Sequence, residues 1–255
     1  MSLAHGFRTM ILFLITFFYG GTSIFASDFY KNVKAVIFDC DGILVDTEYL
    51  KFLAWQEALA THNIEFSIEE YMPLVGHSSK NILQMIRLSK QIEITDSVIE
   101  VKNAKYKMLQ QQGVPAILAM VELARQLSAN KSNGLMLGLA SSAPKAEILA
   151  NLQQIGLENA FDVVVSGSDD LEQYIDIEDK NKPKPYIYIE ASKRLNIPPE
   201  HCLVFEDTKA GVDAAADAGM LAIAVPNQFT WNHDFSKATR VISSYEELPA
   251  IEEFQ

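Results

Sequence analysis

The feature that most constrains this 255-residue chain is an alternation of short apolar runs with helix-like segments, which begins near residue 33 and becomes regular in the second half. Apolar runs long enough for buried strands lie at 33–38, 135–140, 161–166, 202–206 and 221–225. Helical patterns lie between or beside them at 117–129, 144–155, 185–195 and 209–218. Strands that alternate with helices form a parallel sheet covered by helices on both faces. The pattern therefore predicts an α/β fold built on a doubly wound parallel sheet.

A block of helical pattern interrupts this alternation after the first strand. From 47 to about 112, apolar residues recur at helical spacing, as in Leu50, Leu53 and Ala54, and no strand-like alternation intervenes. Gly42 and Gly113 mark hinge points on either side. We interpret this block as an inserted helical unit. Two roles stay open for it: a lid that closes over the strand ends and excludes water, or a packing subdomain that does not move.

The amino terminus has the composition of a secretory signal. Arg8 precedes an apolar run at 10–18, and a stretch of small residues ends at Ala26. We therefore predict a signal peptide at residues 1–26, which implies a periplasmic or secreted protein if the signal functions and a cytoplasmic one otherwise. An uncleaved anchor and an apolar extension without a targeting role are the alternatives.

Composition restricts the class of partner. The formal net charge is −12 and no block of Lys or Arg occurs, so nucleic acid is not an expected ligand. We expect a monomer that acts on a small molecule and has no membrane partner once the signal is removed.

Cys40 and Cys202 lack metal-ligand spacing and are predicted to be free thiols. The acidic stretch 167–181 is expected to be a solvated loop, although its length leaves a functional role open.

Two acids one residue apart close the first predicted strand. Asp39 and Asp41 flank Cys40, and Gly42 follows. Such a pair is compatible with a solvated turn. It is also compatible with a site for a hard cation, because ligands bind beyond the carboxyl ends of parallel strands.

Other polar residues fall at the ends of other predicted strands. Ser141 follows the second strand, Glu206 and Asp207 close the fourth, and Lys182 opens a Lys-Pro-Lys-Pro stretch before a helix. Each of them alone is typical of a helix cap, a turn or a loop charge. Because right-handed crossovers bring successive strand ends to one edge, we expect all of them to meet the aspartate pair there.

This ordered set resembles the haloacid dehalogenase superfamily of phosphoryl-transfer enzymes. The resemblance spans 33 to about 248 and is most specific in Phe-Asp-Cys-Asp-Gly-Ile-Leu-Val-Asp-Thr-Glu at 38–48. The helical insertion resembles the cap of the branch that contains β-phosphoglucomutase and CbbY-type sugar-bisphosphate phosphatases. The resemblance implies a core domain at 27–45 and 118–255 and a helical cap domain at 46–117.

The resemblance also implies roles for residues of the site. Asp39 is the expected nucleophile that forms an aspartyl-phosphate, and Asp41 is the expected proton donor and acceptor. Lys182 is expected to balance charge in preference to Lys184. The expected ligands of Mg²⁺ are Asp39, Asp207, Glu206 and the backbone carbonyl of Asp41. The predicted substrate-binding residues are Ser141, Ser142, Lys182, Thr47, Lys51, His77 and Lys80.

Two departures from the mutase pattern affect the predicted reaction. Lys51 stands where the mutases carry a histidine, and Ser79 with Lys80 stands where they carry a phosphate-holding arginine. We therefore predict a Mg²⁺-dependent phosphatase that acts on a small phosphorylated metabolite of the sugar phosphate class. A phosphomutase and a non-enzymatic phosphate-binding protein are the alternatives. The loop 76–81 is expected either to select the substrate or only to cap the next helix.

Overall fold

The computed structural model describes residues 30–130, 134–176 and 180–254. Its strands are β1 (Ala35–Phe38), β2 (Met136–Ser141), β3 (Val163–Ser166), β4 (Cys202–Glu206), β5 (Leu221–Ala224) and β6 (Arg240–Val241). Its α-helices are α1 (Glu48–Ala60), α2 (Ile68–Tyr71), α3 (Ser79–Lys90), α4 (Ser97–Gln111), α5 (Leu118–Ala129), α6 (Lys145–Gln154), α7 (Tyr186–Leu195) and α8 (Lys209–Asp217).

The strands form one parallel sheet in the order β3-β2-β1-β4-β5-β6. β1 lies inside the sheet, where Ala35 pairs with Met136 of β2 and with Cys202 of β4. The order reverses at β1, so the predicted doubly wound sheet is confirmed. β6 was not predicted, because two residues are too short to show a strand period.

Alternate residues of β1 face two separate cores. Val36 and Phe38 belong to one apolar cluster with residues of α5 and α6, whereas Ala35 and Ile37 belong to another with residues of α7 and α8. All four are fully buried. A strand buried on both faces reads as an unbroken apolar run, which is why the sequence showed no polar alternation here.

The helices α1 to α4 have an apolar cluster of their own. Trp55 and Leu59 of α1 pack there with Ile86 of α3 and Val98 of α4. Phe229, from the loop after β5, joins this cluster. We call residues 48–111 the helical segment. The predicted domain limits at 45/46 and 117/118 stay predictions.

The start of the acidic stretch is held to α6 and α7 by ion pairs and a hydrogen bond. Asp170 accepts from Lys145 Nζ at 2.6 Å and lies 3.1 Å from Arg194 Nη1, while Asp169 accepts from the backbone N–H of Lys145 at 2.6 Å. The stretch 167–181, which was expected to be a solvated loop, is therefore anchored at Asp169 and Asp170.

Both cysteines are free, as predicted, and both are buried. Within the described residues, no helix combines the length and the apolar character that a bilayer crossing needs. The predicted signal peptide lies outside the residues that the structure describes.

Candidate active site

The carboxyl ends of three adjacent strands bring the predicted polar residues together. Asp39 directly follows β1, Ser141 is the last residue of β2, and Glu206 is the last residue of β4, with Asp207 after it. Because β2, β1 and β4 are neighbours in register, these side chains share one edge of the sheet. We call Asp39, Lys182, Glu206 and Asp207 the strand-end cluster.

Lys182 joins two acids of this cluster. Its Nζ lies 2.5 Å from Asp39 Oδ1 and 2.6 Å from Glu206 Oε1, and it donates to the backbone carbonyl of Ala140 at 3.2 Å. Only 6% of the Lys182 side chain is exposed. Lys184 Nζ, in contrast, lies 3.5 Å from Asp176 Oδ2. The structure thus brings Lys182, and not Lys184, to the aspartate.

Glu206 has hydrogen bonds to both carboxylate oxygens. Tyr188 donates its hydroxyl to Oε1 at 2.9 Å, beside the lysine. Oε2 accepts from the backbone N–H of Asp207 at 2.9 Å and from the N–H and hydroxyl of Thr208 at 3.0 and 3.1 Å. These contacts make Glu206 an anchor for Lys182, and its predicted role as a metal ligand stays a prediction.

The cluster suits a hard divalent cation. Asp39, Glu206 and Asp207 each offer a carboxylate oxygen within 4.8 Å of the others, and all three residues are buried. Asp207 Oδ2 accepts from Asn227 Nδ2 at 2.8 Å, but its buried Oδ1 has no hydrogen-bond partner among the described residues. Oxygen ligands of this kind are those that Mg²⁺ prefers, so the residues present fit the predicted ion.

The electrostatics of the cluster show a deficit of positive charge. Burial raises the pKa of Asp39 to about 7, although the charge of Lys182 acts in the opposite direction. Burial and the charge of Glu206 raise the pKa of Asp207 well above its usual value. Burial lowers the pKa of Lys182, but Asp39 and Glu206 outweigh it, so that lysine stays charged. One lysine therefore does not balance the buried acids, which is the condition a bound cation would relieve.

Asp41 has a different environment. Thr47 donates its hydroxyl to Asp41 Oδ1, which leaves that hydroxyl unavailable to cap the start of α1. Ser141 Oγ lies 3.5 Å from Oδ2, a long distance for a hydrogen bond, and accepts from the N–H of Ala143 at 3.2 Å. Lys51 Nζ lies 3.5 Å from Oδ1. Asp41 thus faces hydroxyls and the helical segment.

Lys51 is held by Glu48, and Glu48 is held in turn by Tyr71. Neither Glu48 nor Tyr71 was assigned a role from the sequence. Glu48 Oε1 lies 2.7 Å from Lys51 Nζ, and Tyr71 donates its hydroxyl to Glu48 Oε2 at 2.8 Å. Glu48 and Tyr71 are buried. Glu48 closes the motif at 38–48, but its partner Tyr71 lies too far along the chain for spacing to predict the contact.

The remaining predicted substrate-binding residues are exposed. Ser142, His77 and Lys80 lie at the surface. In the loop 76–81, Ser78 Oγ accepts from the N–H of Asn81 at 3.3 Å and caps α3. The capping role expected of that loop is confirmed, and contact of its side chains with a substrate stays a prediction.

Three further residues at the site were not predicted. Tyr188 and Asn227 bind cluster acids, and Lys102 of α4 lies buried between Trp55 and Tyr106, with its Nζ 5.9 and 5.5 Å from their ring centroids. Asn227 could have been predicted, because it lies just after the predicted strand at 221–225, as Ser141 lies just after the predicted strand at 135–140. The others show no local pattern.

The comparisons with known proteins agree with this geometry. A model of the haloacid dehalogenase-like hydrolases matches residues 33–219. "Phosphorylated carbohydrates phosphatase" of Thermotoga maritima is 33% identical over 188 residues, which cover 74% of this chain and 82% of that protein. Beta-phosphoglucomutase of Bacillus subtilis is 30% identical over 199 residues, which cover 76% and 83%.

A solved structure shows the same architecture. CbbY from Rhodobacter sphaeroides in complex with phosphate has a TM-score of 0.72 at 25% identity, and the match covers 87% of this chain and 99% of that one. Taken with the family match and the strand-end acids, this similarity shows that the chain belongs to the haloacid dehalogenase-like hydrolases, in the branch that contains β-phosphoglucomutase and CbbY.

Proposed function

We propose that this enzyme hydrolyses small phosphorylated metabolites, with sugar phosphates as the substrate class, through a phosphorylated Asp39. The observation that carries the proposal is the different environment of two carboxylates one residue apart. Asp39 is buried against Lys182 at 2.5 Å on the sheet side, whereas Asp41 accepts from the hydroxyl of Thr47 and lies 3.5 Å from Lys51 of the helical segment. This difference supports attack by Asp39 and proton transfer by Asp41.

In the first proposed step, a carboxylate oxygen of Asp39 attacks phosphorus and the bond from phosphorus to the sugar oxygen breaks. Asp41 donates its proton to the departing alkoxide. In the second step, Asp41 takes a proton from water, the water oxygen attacks the phosphoaspartate, and inorganic phosphate leaves. Asp39 is then free and Asp41 is protonated again, so the cycle closes.

The attack of a carboxylate on a phosphate monoester brings two anions together. Lys182 reduces that repulsion from its position on Asp39 Oδ1. Ser141, at the end of β2, would donate its hydroxyl to a phosphoryl oxygen. Asp39, Asp207, Glu206 and the backbone carbonyl of Asp41 would hold Mg²⁺, which when bound supplies positive charge to the transferring phosphoryl group.

The substrate class rests on the relatives and on the helical segment. The Thermotoga maritima relative is named for phosphorylated carbohydrates. Lys51 lies beside Asp41 on the side where the leaving group would sit, and although burial lowers its pKa, the charges of Asp41 and Glu48 raise it. Lys51 and the buried Lys102 suit a leaving group rich in hydroxyls or carrying a second anionic group.

A phosphomutase is the second candidate, because β-phosphoglucomutase of Bacillus subtilis is 30% identical to this chain. A mutase uses the same phosphoaspartate but returns the phosphoryl group to sugar instead of water. With β-glucose 1-phosphate as substrate, a phosphatase releases inorganic phosphate and a mutase accumulates the 6-phosphate.

The test is a phosphate-release screen over sugar mono- and bisphosphates with Mg²⁺, run on the wild type and on Asp39→Asn. We expect hydrolysis by the wild type and a loss of at least ~10³-fold in the variant, because the nucleophile is removed with little change in shape. Circular dichroism of the variant checks that it remains folded. Undiminished hydrolysis by folded Asp39→Asn would falsify the phosphoaspartate route. A wild type that binds phosphate esters but turns none over would instead indicate a binding protein.

A further inference from the structure

A row of polar residues lies on one face of α6. Glu147, Asn151 and Gln154 are spaced i, i+4 and i+7, so they share a face of that helix, whereas Ile148 and Leu152 belong to the apolar core. Asn151 is fully buried. A buried amide on a core helix needs hydrogen-bond partners, since an unpartnered amide costs about 1–3 kcal/mol.

The partner is the last turn of the helical segment. Gln110 Nε2 of α4 donates to Asn151 Oδ1 at 2.7 Å and to the backbone carbonyl of Glu147 at 3.1 Å. Gln154 Nε2 donates back to the carbonyl of Gln110 at 3.0 Å, and its Oε1 accepts from the N–H of Val114 at 3.0 Å. One face of α6 therefore holds both the end of α4 and the linker that follows it.

The other end of the Asn151 amide contacts the loop that carries the aspartates. Asn151 Nδ2 donates to Cys40 Sγ at 4.0 Å. Cys40 is fully buried between Asp39 and Asp41, and its backbone carbonyl accepts from the N–H groups of Leu44 and Val45 at 2.8 and 3.1 Å. Sulfur is a weak acceptor, so this hydrogen bond contributes little energy of its own.

Gln110, Asn151 and Cys40 thus form a continuous buried chain, which we call the polar joint. It connects the helical segment, just before Gly113, to the residue between the two catalytic candidates. Apolar side chains of similar size would fill this space without the cost of burying two amides. Buried amides that hydrogen-bond to each other favour one arrangement of the elements they connect.

We propose that the polar joint transmits the position of the helical segment to the aspartate loop, with Asn151 as a positioning residue for Asp39 and Asp41. When α4 is seated on α6, Gln110 fixes the amide of Asn151, and that amide fixes Cys40. This inference rests on the proposed function, because it assigns the joint a role in the same reaction. Neither Gln110 nor Asn151 touches the reacting atoms.

The test compares Gln110→Met and Asn151→Leu with the matched control Gln111→Met. Gln111 is the exposed neighbour of Gln110 on α4. Both joint variants are expected to lower kcat by about 10-fold with KM within about 2-fold, because small misplacement of reacting groups slows the chemical step more than binding. The control is expected to keep the wild-type kcat.

A second readout does not depend on activity. Hydrogen exchange at the amides of Leu44 and Val45, which donate to the Cys40 carbonyl, is expected to be at least about 5-fold faster in both joint variants. The double variant Cys40→Ala/Asn151→Leu is expected to have a kcat no lower than that of the poorer single variant. Both changes remove the same contact, that of Asn151 Nδ2 with Cys40 Sγ, so their effects should not add. Additive losses of kcat would count against the joint.

If both joint variants keep the wild-type kcat and the wild-type exchange at Leu44 and Val45, the proposal is overturned and the amides serve packing alone. If Gln110→Met does not fold, Cys40→Ala takes its place, because it removes the other end of the joint without introducing a charge. A wild type without phosphatase activity overturns the proposed function, whereas the exchange measurement still decides whether the joint controls the loop.

Discussion

The two sides of the active site are built differently. In the strand-end cluster, Lys182 and Glu206 have side chains only 6% and 1% exposed, and each is held by groups from several elements. On the side of the helical segment, Lys51 is 22% exposed, and His77 and Lys80 lie at the surface. The side proposed to carry the chemistry is thus almost fully buried, whereas the side expected to contact the leaving group is more exposed to solvent. Change of substrate within such a fold is therefore easiest on the helical side.

The sharpest test of this contrast is the removal of the buried cation. Lys182→Met leaves Asp39 and Glu206 without their shared partner. We expect kcat to fall at least ~10²-fold and the free energy of unfolding to fall by about 3–5 kcal/mol, since a buried charge loses its compensation. Denaturant unfolding in the presence of a chelator measures the stability term without contribution from a metal ion.

Lys184→Met is the matched control, two residues away in the same loop. Its ion pair with Asp176 has a distance of 3.5 Å and the lysine side chain is 35% exposed. We expect a change in stability within about 0.5 kcal/mol and no change in kcat. Equal losses in the two variants would contradict the assignment of Lys182 to the cluster.

A smaller effect is expected at a glycine of the aspartate loop. Gly42 has φ +83°, and a Cβ placed there would lie 2.1 Å from Asp207 Oδ2. Gly42→Ala is therefore expected to destabilise the protein by about 1–3 kcal/mol and to lower kcat at least ~10-fold, because backbone strain and displacement of Asp207 act together. Thermal unfolding and steady-state kinetics measure the two effects.

Gly113, at the other end of the helical segment, separates strain from displacement. Its φ is +127°, but a Cβ at this position would have no atom of the described residues within 4 Å. Gly113→Ala is expected to cost about 1 kcal/mol and to leave kcat within about 3-fold. If Gly113→Ala reduced kcat as strongly as Gly42→Ala, contact with Asp207 would not be the reason.

The last effect depends on pH and concerns the boundary between the two sides. Glu147 of α6 is an acid whose pKa is raised to about 7 by burial and by the charge of Asp41. A carboxyl with a raised folded-state pKa favours folding while it is protonated and opposes folding once it ionises. Its cost therefore appears as pH rises above the usual value near 4.5 and becomes constant above about 7.

Glu147→Gln is expected to be more stable than the wild type by about 1–3 kcal/mol at pH 8 and by less than about 0.5 kcal/mol at pH 4.5. Thermal unfolding of both proteins across this range measures the difference. Glu158→Gln, at an exposed site, serves as the control and is expected to follow the wild type at every pH. A difference that does not change with pH would show that Glu147 acts through packing.

Much of the fold was predictable from the sequence because its strands are buried on both faces. Continuous apolar runs such as that of β1 have no other common explanation when helices alternate with them. The positions of Asp39, Ser141 and Glu206 followed from the same pattern, since parallel connectivity sends every strand end to one edge. β2 ends at Ser141 itself, one residue later than predicted, and this shift does not alter the edge that it faces.

The partners of these residues were not predictable. Tyr71 lies 23 residues from Glu48, and Asn151 lies 41 residues from Gln110. Neither pair has a spacing that a helix or a strand would make meaningful. Which oxygen of Glu206 contacts Lys182, and which contacts the backbone of the next turn, is likewise set by packing.

The sequence by itself determined the parallel sheet, the helical insertion and the set of polar residues at the strand ends, because period and connectivity are local properties of the chain. Tertiary structure alone decided that Glu206 anchors Lys182 beside Asp39 and that a buried amide pair links α4 to Cys40. Those outcomes depend on side chains from distant segments packing into a shared volume, and no local pattern carries that information.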